Sequence, residues 1–462
     1  MTLEEILSVR PESGQPRTYT FPHFTRTVLP SGMQVLVVEI PGRPLVTANL
    51  IVRRGVCDEP AELAGATALM ARAMTEGTER YPGVELIEAA ERLGATLGVD
   101  ANWDSFFASV DVAASRLPAA IALLAELVEH PTFPEADVAR LREERLNDLL
   151  QVKADPRRRV DQAFTSAIYA AGSPYGRPAG GDETTVAGLT PDGLRQVHRT
   201  ILDPGRTALI VGGDLTTAEV LRAVGAPDGL TSETANLPAD PTVTAPPVAP
   251  GVDRPIVRLY HRPGSVQSEV RMGHVGLPRR TPDFYAVQVM AAILGGLFNS
   301  RLQMNLREDK GYTYGVGAGF DMRRGAGPFS VRTAVQTSVT VPAIAEALKE
   351  LSRMRETLVT DAELVAARDF MVGVFPLRFE TPGAVVGAVG GLFAGGLPDD
   401  ELARYRDRIE AVTAEDVRKA AVDHIRPDRM AIVVVGDAEA VAKDLEAAEF
   451  GEFEAIREEA AG

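Results

Sequence analysis

Cysteine occurs once, tryptophan once and histidine six times in this 462-residue chain. With Cys57 alone, no disulfide closes within the chain and no cysteine-based zinc site forms. The histidines are His23, His130, His198, His261, His274 and His424, and no two stand at metal-ligand spacing. Long apolar runs are missing too. Every hydrophobic stretch is broken by glycine, proline or charge well before the ~20 residues a membrane-spanning helix requires. Basic clusters are scarce: Arg157-Arg158-Arg159 is the one dense patch, set against 64 acidic and 48 basic residues and a net charge of −16. That balance excludes nucleic acid as a partner, and the triplet reads as a solvated helix face. The opening Met1-Thr2-Leu3-Glu4-Glu5 is acidic and does not read as a signal peptide. A cytoplasmic protein without membrane contact is the expectation.

What is present is ordinary globular material, 45% hydrophobic and 24% charged, long enough for several domains. It is also written twice. Leu189-Thr190-Pro191-Asp192 leads through Asp203-Pro204-Gly205-Arg206 into Ala208-Leu209-Ile210-Val211-Gly212-Gly213-Asp214. Val412-Thr413-Ala414-Glu415 leads through Arg426-Pro427-Asp428-Arg429 into Ala431-Ile432-Val433-Val434-Val435-Gly436-Asp437. Thr190 and Thr413, Pro204 and Pro427, Arg206 and Arg429, and Asp214 and Asp437 are all 223 positions apart. Each copy reads as a Thr-capped amphipathic helix, a proline stop, and a buried strand ending at Gly-Asp. Gly94-Ala95-Thr96-Leu97-Gly98-Val99 echoes Gly311-Tyr312-Thr313-Tyr314-Gly315-Val316 in the same order.

The first copy opens with strand-like runs at 35–39 and 46–52, separated by the turn signal Pro41-Gly42-Arg43-Pro44; Val46, Ala48, Leu50 and Val52 share one face. Strands followed by helices predict an α+β fold of two homologous halves, each an antiparallel sheet with helices packed on it. The expected boundaries are an amino-terminal domain at 1–225, a Pro-rich linker at 226–253, a carboxy-terminal domain at 254–450 and an acidic tail at 451–462.

Gly65-Ala66-Thr67-Ala68-Leu69-Met70-Ala71-Arg72-Ala73-Met74-Thr75-Glu76-Gly77-Thr78 resembles the zinc stretch of pitrilysin/insulinase-type metallopeptidases, the processing-peptidase-like members in particular. In that family two His, one helical turn apart, bind zinc, and a Glu between them is the general base. Gly65, Gly77 and Thr78 match, but the three functional positions hold Ala68, Ala71 and Arg72. The third family ligand, a Glu on a later helix, is best matched here by Asp148. One carboxylate cannot hold catalytic zinc, so the resemblance implies that this chain binds no cofactor.

The second half keeps the family's glycine loop, Leu294-Gly295-Gly296-Leu297-Phe298-Asn299-Ser300-Arg301-Leu302, and its Arg/Tyr motif, Asn305-Leu306-Arg307-Glu308-Asp309-Lys310-Gly311-Tyr312-Thr313-Tyr314. The resemblance implies a substrate loop at Gly295, Gly296 and Asn299. It also implies that Arg307 holds a peptide carbonyl and Tyr314 donates to the developing oxyanion, both in trans, at the zinc of a homologous partner subunit. Unstructured peptides are the substrates it implies, and the active form a heterodimer. Read without it, Arg307 to Lys310 is a solvated helix end, Gly311 its C-cap, and Tyr312 and Tyr314 share one face of the next strand. Two other readings stand beside the first: a scaffold or peptide-binding protein with no catalytic partner, and a peptidase with a relocated metal site. Pro174-Tyr175-Gly176-Arg177-Pro178 with Gly180-Gly181, and Gly391 to Pro398, read as loops shaped by glycine.

Overall fold

The computed structural model describes residues 17–226, 229–230 and 245–457. Twelve strands form two six-stranded sheets. The first runs, in spatial order, β1 (Phe24–Val28), β2 (Gln34–Glu39), β6 (Thr207–Gly213), β3 (Leu45–Val52), β5 (Phe106–Ala113) and β4 (Thr96–Ala101). The second runs β12 (Glu452–Ile456), β7 (Ile256–His261), β11 (Ala431–Gly436), β8 (Gln267–Val275), β10 (Pro328–Gln336) and β9 (Val316–Phe320). The principal helices are α1 (Ala66–Ala73), α2 (Leu117–Glu129), α3 (Glu135–Ala154), α4 (Pro156–Ile168), α5 (Pro191–Ile201), α6 (Phe284–Ala291), α7 (Thr340–Glu356), α8 (Asp361–Val374), α9 (Pro382–Gly395) and α10 (Ala414–His424).

The two halves are α+β repeats, as the doubled landmarks predict. Helices α5 and α10 begin 223 residues apart, and so do α2 and α7. Thr190 Oγ accepts from Gly193 N at 3.2 Å, and Thr413 Oγ from Asp416 N at 3.1 Å, so both predicted caps close the first helical turn. Each sheet is mixed rather than antiparallel throughout: β2 runs parallel to β6, and β7 runs parallel to β11 and β12. The reason is connectional. β6 returns only after the helices that follow β5, the long crossover a parallel neighbour needs.

Val46, Ala48, Leu50 and Val52 do share a face, buried in the first core with α1, α2 and α5. The central strands are apolar on both faces because both are covered. On the other face of this sheet, Leu36, Val38, Ala208 and Ile210 meet Val385, Val386, Val389 and Phe393 of α9, a helix from the second half. Conversely Val160, Phe164 and Ile168 of α4, from the first half, pack on Ile256, Val433 and Val435 of the second sheet. The halves thus exchange a helix, each roofing the other's sheet.

Glycine makes α9 fit so closely. A Cβ at Gly390 would lie 2.3 Å from Ile51 Cδ1. Gly391 to Gly395 therefore belong to a helix rather than the predicted loop, and Gly396 (φ +59°) caps it. A second correction concerns the tail. Residues 452–456 form β12: Phe453 packs against the second core, while Glu454, on the solvent side, pairs with Arg258 at 2.8 Å. The predicted linker lies partly outside the described residues; inside them, Ala249 O accepts from Ala170 N at 3.0 Å and Gly251 N donates to Ile168 O at 2.7 Å. Among the described residues no helix is long and apolar enough to cross a membrane.

Candidate functional site

The predicted site residues fall into two groups, one in each half. In the first, α1 starts at Gly65 (φ +93°), and the Glu59 carboxylate accepts from Gly65 N at 2.8 Å and Thr67 N at 2.9 Å. Burial raises the Glu59 pKa in spite of those bonds. On α1, Ala71 is buried, Ala68 half-buried and Arg72 exposed. Arg72 Nη2 donates to Glu144 Oε2 at 2.9 Å, and Arg140 donates to Glu144 Oε1 at 2.7 Å and pairs with Glu76 at 2.8 Å. Hydrogen bonds from Arg140 and then Arg72 hold the Glu144 carboxyl below the usual range.

Asp148, one turn further along α3, pairs instead with Arg145 and, at 2.8 Å, with Arg158. Residues 140, 144 and 148 share a helix face at i, i+4 spacing, and the carboxylate that the degraded motif meets through Arg72 is Glu144. Zinc does not fit these residues. Ala68 offers no donor atom, and Arg72 brings a positive charge that Glu144 already neutralises.

In the second half, α6 continues into a π-helical turn at Ala292–Gly296, and Arg307 sits in another at Gln303–Asp309. Such turns are rare and concentrate at functional sites. Gly295 is pressed on β9, where a Cβ would lie 2.4 Å from Ala318 N. Gly296 and Asn299 are exposed, as is Phe298 between them. The Arg307 guanidinium lies 4.8 Å from the Phe298 ring centroid, a cation–π contact that restrains it at the surface. Two ties hold this segment from behind. Arg301, nearly buried, forks onto Glu363 of α8, and Asn305 Nδ2 donates to Glu346 and Glu350 of α7, both at 2.9 Å.

Tyr314 is 94% exposed. It precedes β9 rather than lying in it. The Thr313 hydroxyl takes over the local hydrogen bonding, donating toward Ala334 O (2.7 Å) and Gly315 O (2.9 Å) and accepting from Gly315 N (3.0 Å). Thr333 Oγ adds contacts to Thr313 Oγ at 3.0 Å and Gly315 O at 3.1 Å. The backbone is thereby pinned and the phenol projects. Tyr312, expected beside it, is half-buried against the core. Gly311 (φ +62°) ends the helix as predicted.

Between the halves lies a contact the sequence does not signal. Arg324, in the β9–β10 turn, reaches the first half: its Nη2 meets Asp58 Oδ2 at 2.7 Å and Cys57 Sγ at 2.9 Å, and its Nη1 donates to Arg53 O at 3.0 Å. Tyr175, from the Pro174–Pro178 stretch, donates to Asp104 Oδ1 at 2.6 Å and accepts from Gly325 N at 3.0 Å. That stretch serves the junction between halves. Elsewhere, Asp283, Asp423 and His424 bring ligand atoms within 4.8 Å of one another, but His424 meets Asp283 at 2.7 Å and Lys419 pairs with Asp423. Those groups already satisfy one another.

Two family models cover most of this architecture. Residues 34–181 match "Insulinase (Peptidase family M16)" and residues 188–371 match "Peptidase M16 inactive domain". The chain belongs to the M16 insulinase family. Among its M16 relatives, a protein named an uncharacterized zinc protease from Streptomyces coelicolor is 28% identical over 420 residues, 89% of each chain. One from Helicobacter pylori, named a non-peptidase homolog, is 21% identical over 398 residues, 85% of this chain and 89% of its own. Two solved structures share the M16 fold. A peptidase M16 inactive domain from Pseudomonas fluorescens superposes with a TM-score of 0.79 at 24% identity, covering 90% of this chain and 98% of its own. A protease from Helicobacter pylori gives 0.81 at 16% identity, covering 90% and 100%.

Proposed function

We propose that this M16 chain is a non-catalytic, substrate-binding subunit that pairs with a zinc-bearing homologue in the cytoplasm and lends it Arg307 and Tyr314 for peptide-bond hydrolysis. The observation that carries the reading is a contrast between the halves. Where the family keeps its metal, this chain has an Arg72–Glu144 ion pair. Where it keeps its Arg/Tyr motif, this chain has a phenol 94% exposed on a pinned backbone. A tyrosine so presented addresses something outside its own chain. In a water-poor contact with the partner, its hydroxyl would donate to the scissile carbonyl oxygen as charge builds there. Arg307, aligned by Phe298, would hold a neighbouring backbone carbonyl. The name of the Helicobacter relative supports the non-catalytic part.

The test mixes this chain with a homologue carrying an intact His-x-x-Glu-His and assays cleavage of an unstructured peptide, with gel filtration to establish pairing. Tyr314→Phe should lower kcat by on the order of 10²–10³-fold, the usual cost of one oxyanion donor, with KM little changed. Arg307→Ala should raise KM as well. Wild-type rates from both variants in normally assembled complexes would make the chain a scaffold.

A further inference from the structure

The junction between the halves holds a cavity of about 280 Å³. Its wall comes from three places: the β4–β5 turn of the first half, the β9–β10 turn of the second, and the end of α9. Arg323 stands in that wall with part of its hydrogen-bonding capacity unused. Its guanidinium lies 4.5 Å from the Trp103 ring centroid and 4.9 Å from that of Tyr175, both rings of the first half, and its side chain is only 10% exposed. Asp321 Oδ2 accepts from Nε at 3.0 Å and from Nη2 at 2.6 Å, so a single oxygen occupies one edge of the fork. Nη1, on the other edge, is buried and finds no hydrogen-bond partner among the described residues. A guanidinium carries donors alone and keeps its charge at every working pH, so what this edge lacks is an anionic acceptor.

The other charges around the cavity are engaged. Asp104 accepts from the Tyr175 hydroxyl at 2.6 Å and from Arg324 N at 2.7 Å. Arg324 meets Asp58, and Arg279 Nη2 donates to Glu401 Oε1 at 2.9 Å. Met322, Ala394 and Gly391 add an apolar side to the lining, and a Cβ at Gly391 would meet nothing within 4 Å.

We propose that this cavity binds a short aliphatic monocarboxylate, its two oxygens forked onto the Nη1–Nη2 edge of Arg323 and its alkyl stem against Met322 and Ala394. The stacked rings hold the guanidinium in place before the ligand arrives, which lowers the entropy cost of binding. A monoanion suits the site better than phosphate. Asp104 and Asp321 already stand in the wall, and α9 ends there, bringing the negative pole of its dipole. Bound there, the ligand ties the halves together, since Arg323 belongs to one and its stacking partners to the other. The site needs neither zinc nor a partner subunit and does not rest on the reading of the chain as a peptidase subunit.

Trp103 is the only tryptophan, so its fluorescence reports on this cavity alone. The experiment titrates the full chain with sodium butanoate, exchanged against sodium chloride at constant ionic strength, and a saturable change in Trp103 emission is expected. Arg323→Gln should weaken binding by at least ~10-fold, the loss of a hydrogen bond to a charged group. Ala394→Leu, which keeps every polar group and fills the cavity, should abolish binding. Asp321→Asn, which removes a competing negative charge, should tighten it. Circular dichroism checks that each variant folds. The proposal is overturned if the emission change does not saturate, if neutral butanamide binds as well as butanoate, if inorganic phosphate binds more tightly, or if folded Ala394→Leu binds like wild type.

Discussion

Arg301 and Glu363 meet fork to fork, Nε on Oε1 at 2.6 Å and Nη2 on Oε2 at 3.0 Å, tying the segment that carries Phe298 and Arg307 to the start of α8. Burial opposes ionisation of Glu363, but the Arg301 hydrogen bonds and the Thr360 backbone N–H outweigh it and hold the carboxyl at about 2. A depressed folded pKa stabilises the protein above the usual carboxylate value of 4.5, and that contribution is lost as pH falls through about 2. Glu363→Ala leaves a nearly buried guanidinium unpaired and should cost ~3–5 kcal/mol. Urea unfolding at pH 7 measures this, and repeating it between pH 5 and 2 should show a flatter acid dependence in Glu363→Gln than in wild type.

Arg324 makes the thiol of Cys57 a reporter of the junction between halves. Burial, and after it the Asp58 charge, push the thiol far above its usual pKa, and Cys57 is only 7% exposed. The native chain should therefore react very slowly with Ellman's reagent. Arg324→Met removes the cross-half contacts and strands Asp58, so the reaction should quicken at least ~10-fold as local opening becomes easier. Equal rates in the two proteins would show that Arg324 does not hold the halves together.

Thr313 and Tyr314 should separate stability from function. Thr313→Val loses the hydroxyl that bridges Gly315 and Ala334, at about 1–3 kcal/mol. Tyr314→Phe touches only an exposed ring and should move the unfolding free energy by less than ~0.5 kcal/mol. Chemical denaturation compares the two, and a destabilised Tyr314→Phe would place the hydroxyl in a structural contact.

The purified chain should hold no stoichiometric zinc after metal-free dialysis. A full equivalent found by elemental analysis would contradict the fit argued from Ala68 and Arg72. Writing the motif back, with Ala68→His, Ala71→Glu, Arg72→His and Asp148→Glu, should not create a peptidase. The Arg145 and Arg158 partners of position 148 hold that carboxylate in an ion pair, away from Arg72, whose partner is Glu144, and imidazoles placed there need orienting hydrogen bonds of their own. Robust cleavage by the variant alone would show that the rest of a catalytic site persists.

What could be read from the sequence was whatever local chemistry decides. The alternation Val46-Ala48-Leu50-Val52 fixes a strand face, and Thr190 and Thr413 announce helix starts. Tyr314 falls outside β9 because its neighbour Thr313 satisfies the backbone that a strand would use, a competition that propensity does not display. Glu144 and Asp148 are equivalent by helical spacing, and only the approach of α1 decides between them. Nothing local could show that Val160 and Phe164 pack on a sheet about a hundred residues or more downstream: an apolar helix stripe asks for a partner without naming it.

The exchanged helices have a consequence for ancestry and for dissection. A polypeptide carrying either repeat alone would leave one sheet face bare where α4 or α9 belongs. Two copies of such a repeat could cure the defect by lending each other that helix. The connectivity seen here is that of a domain-swapped dimer whose protomers have been joined in one chain. Fragments divided near residue 240 should therefore recover their fold when co-expressed and aggregate when made singly.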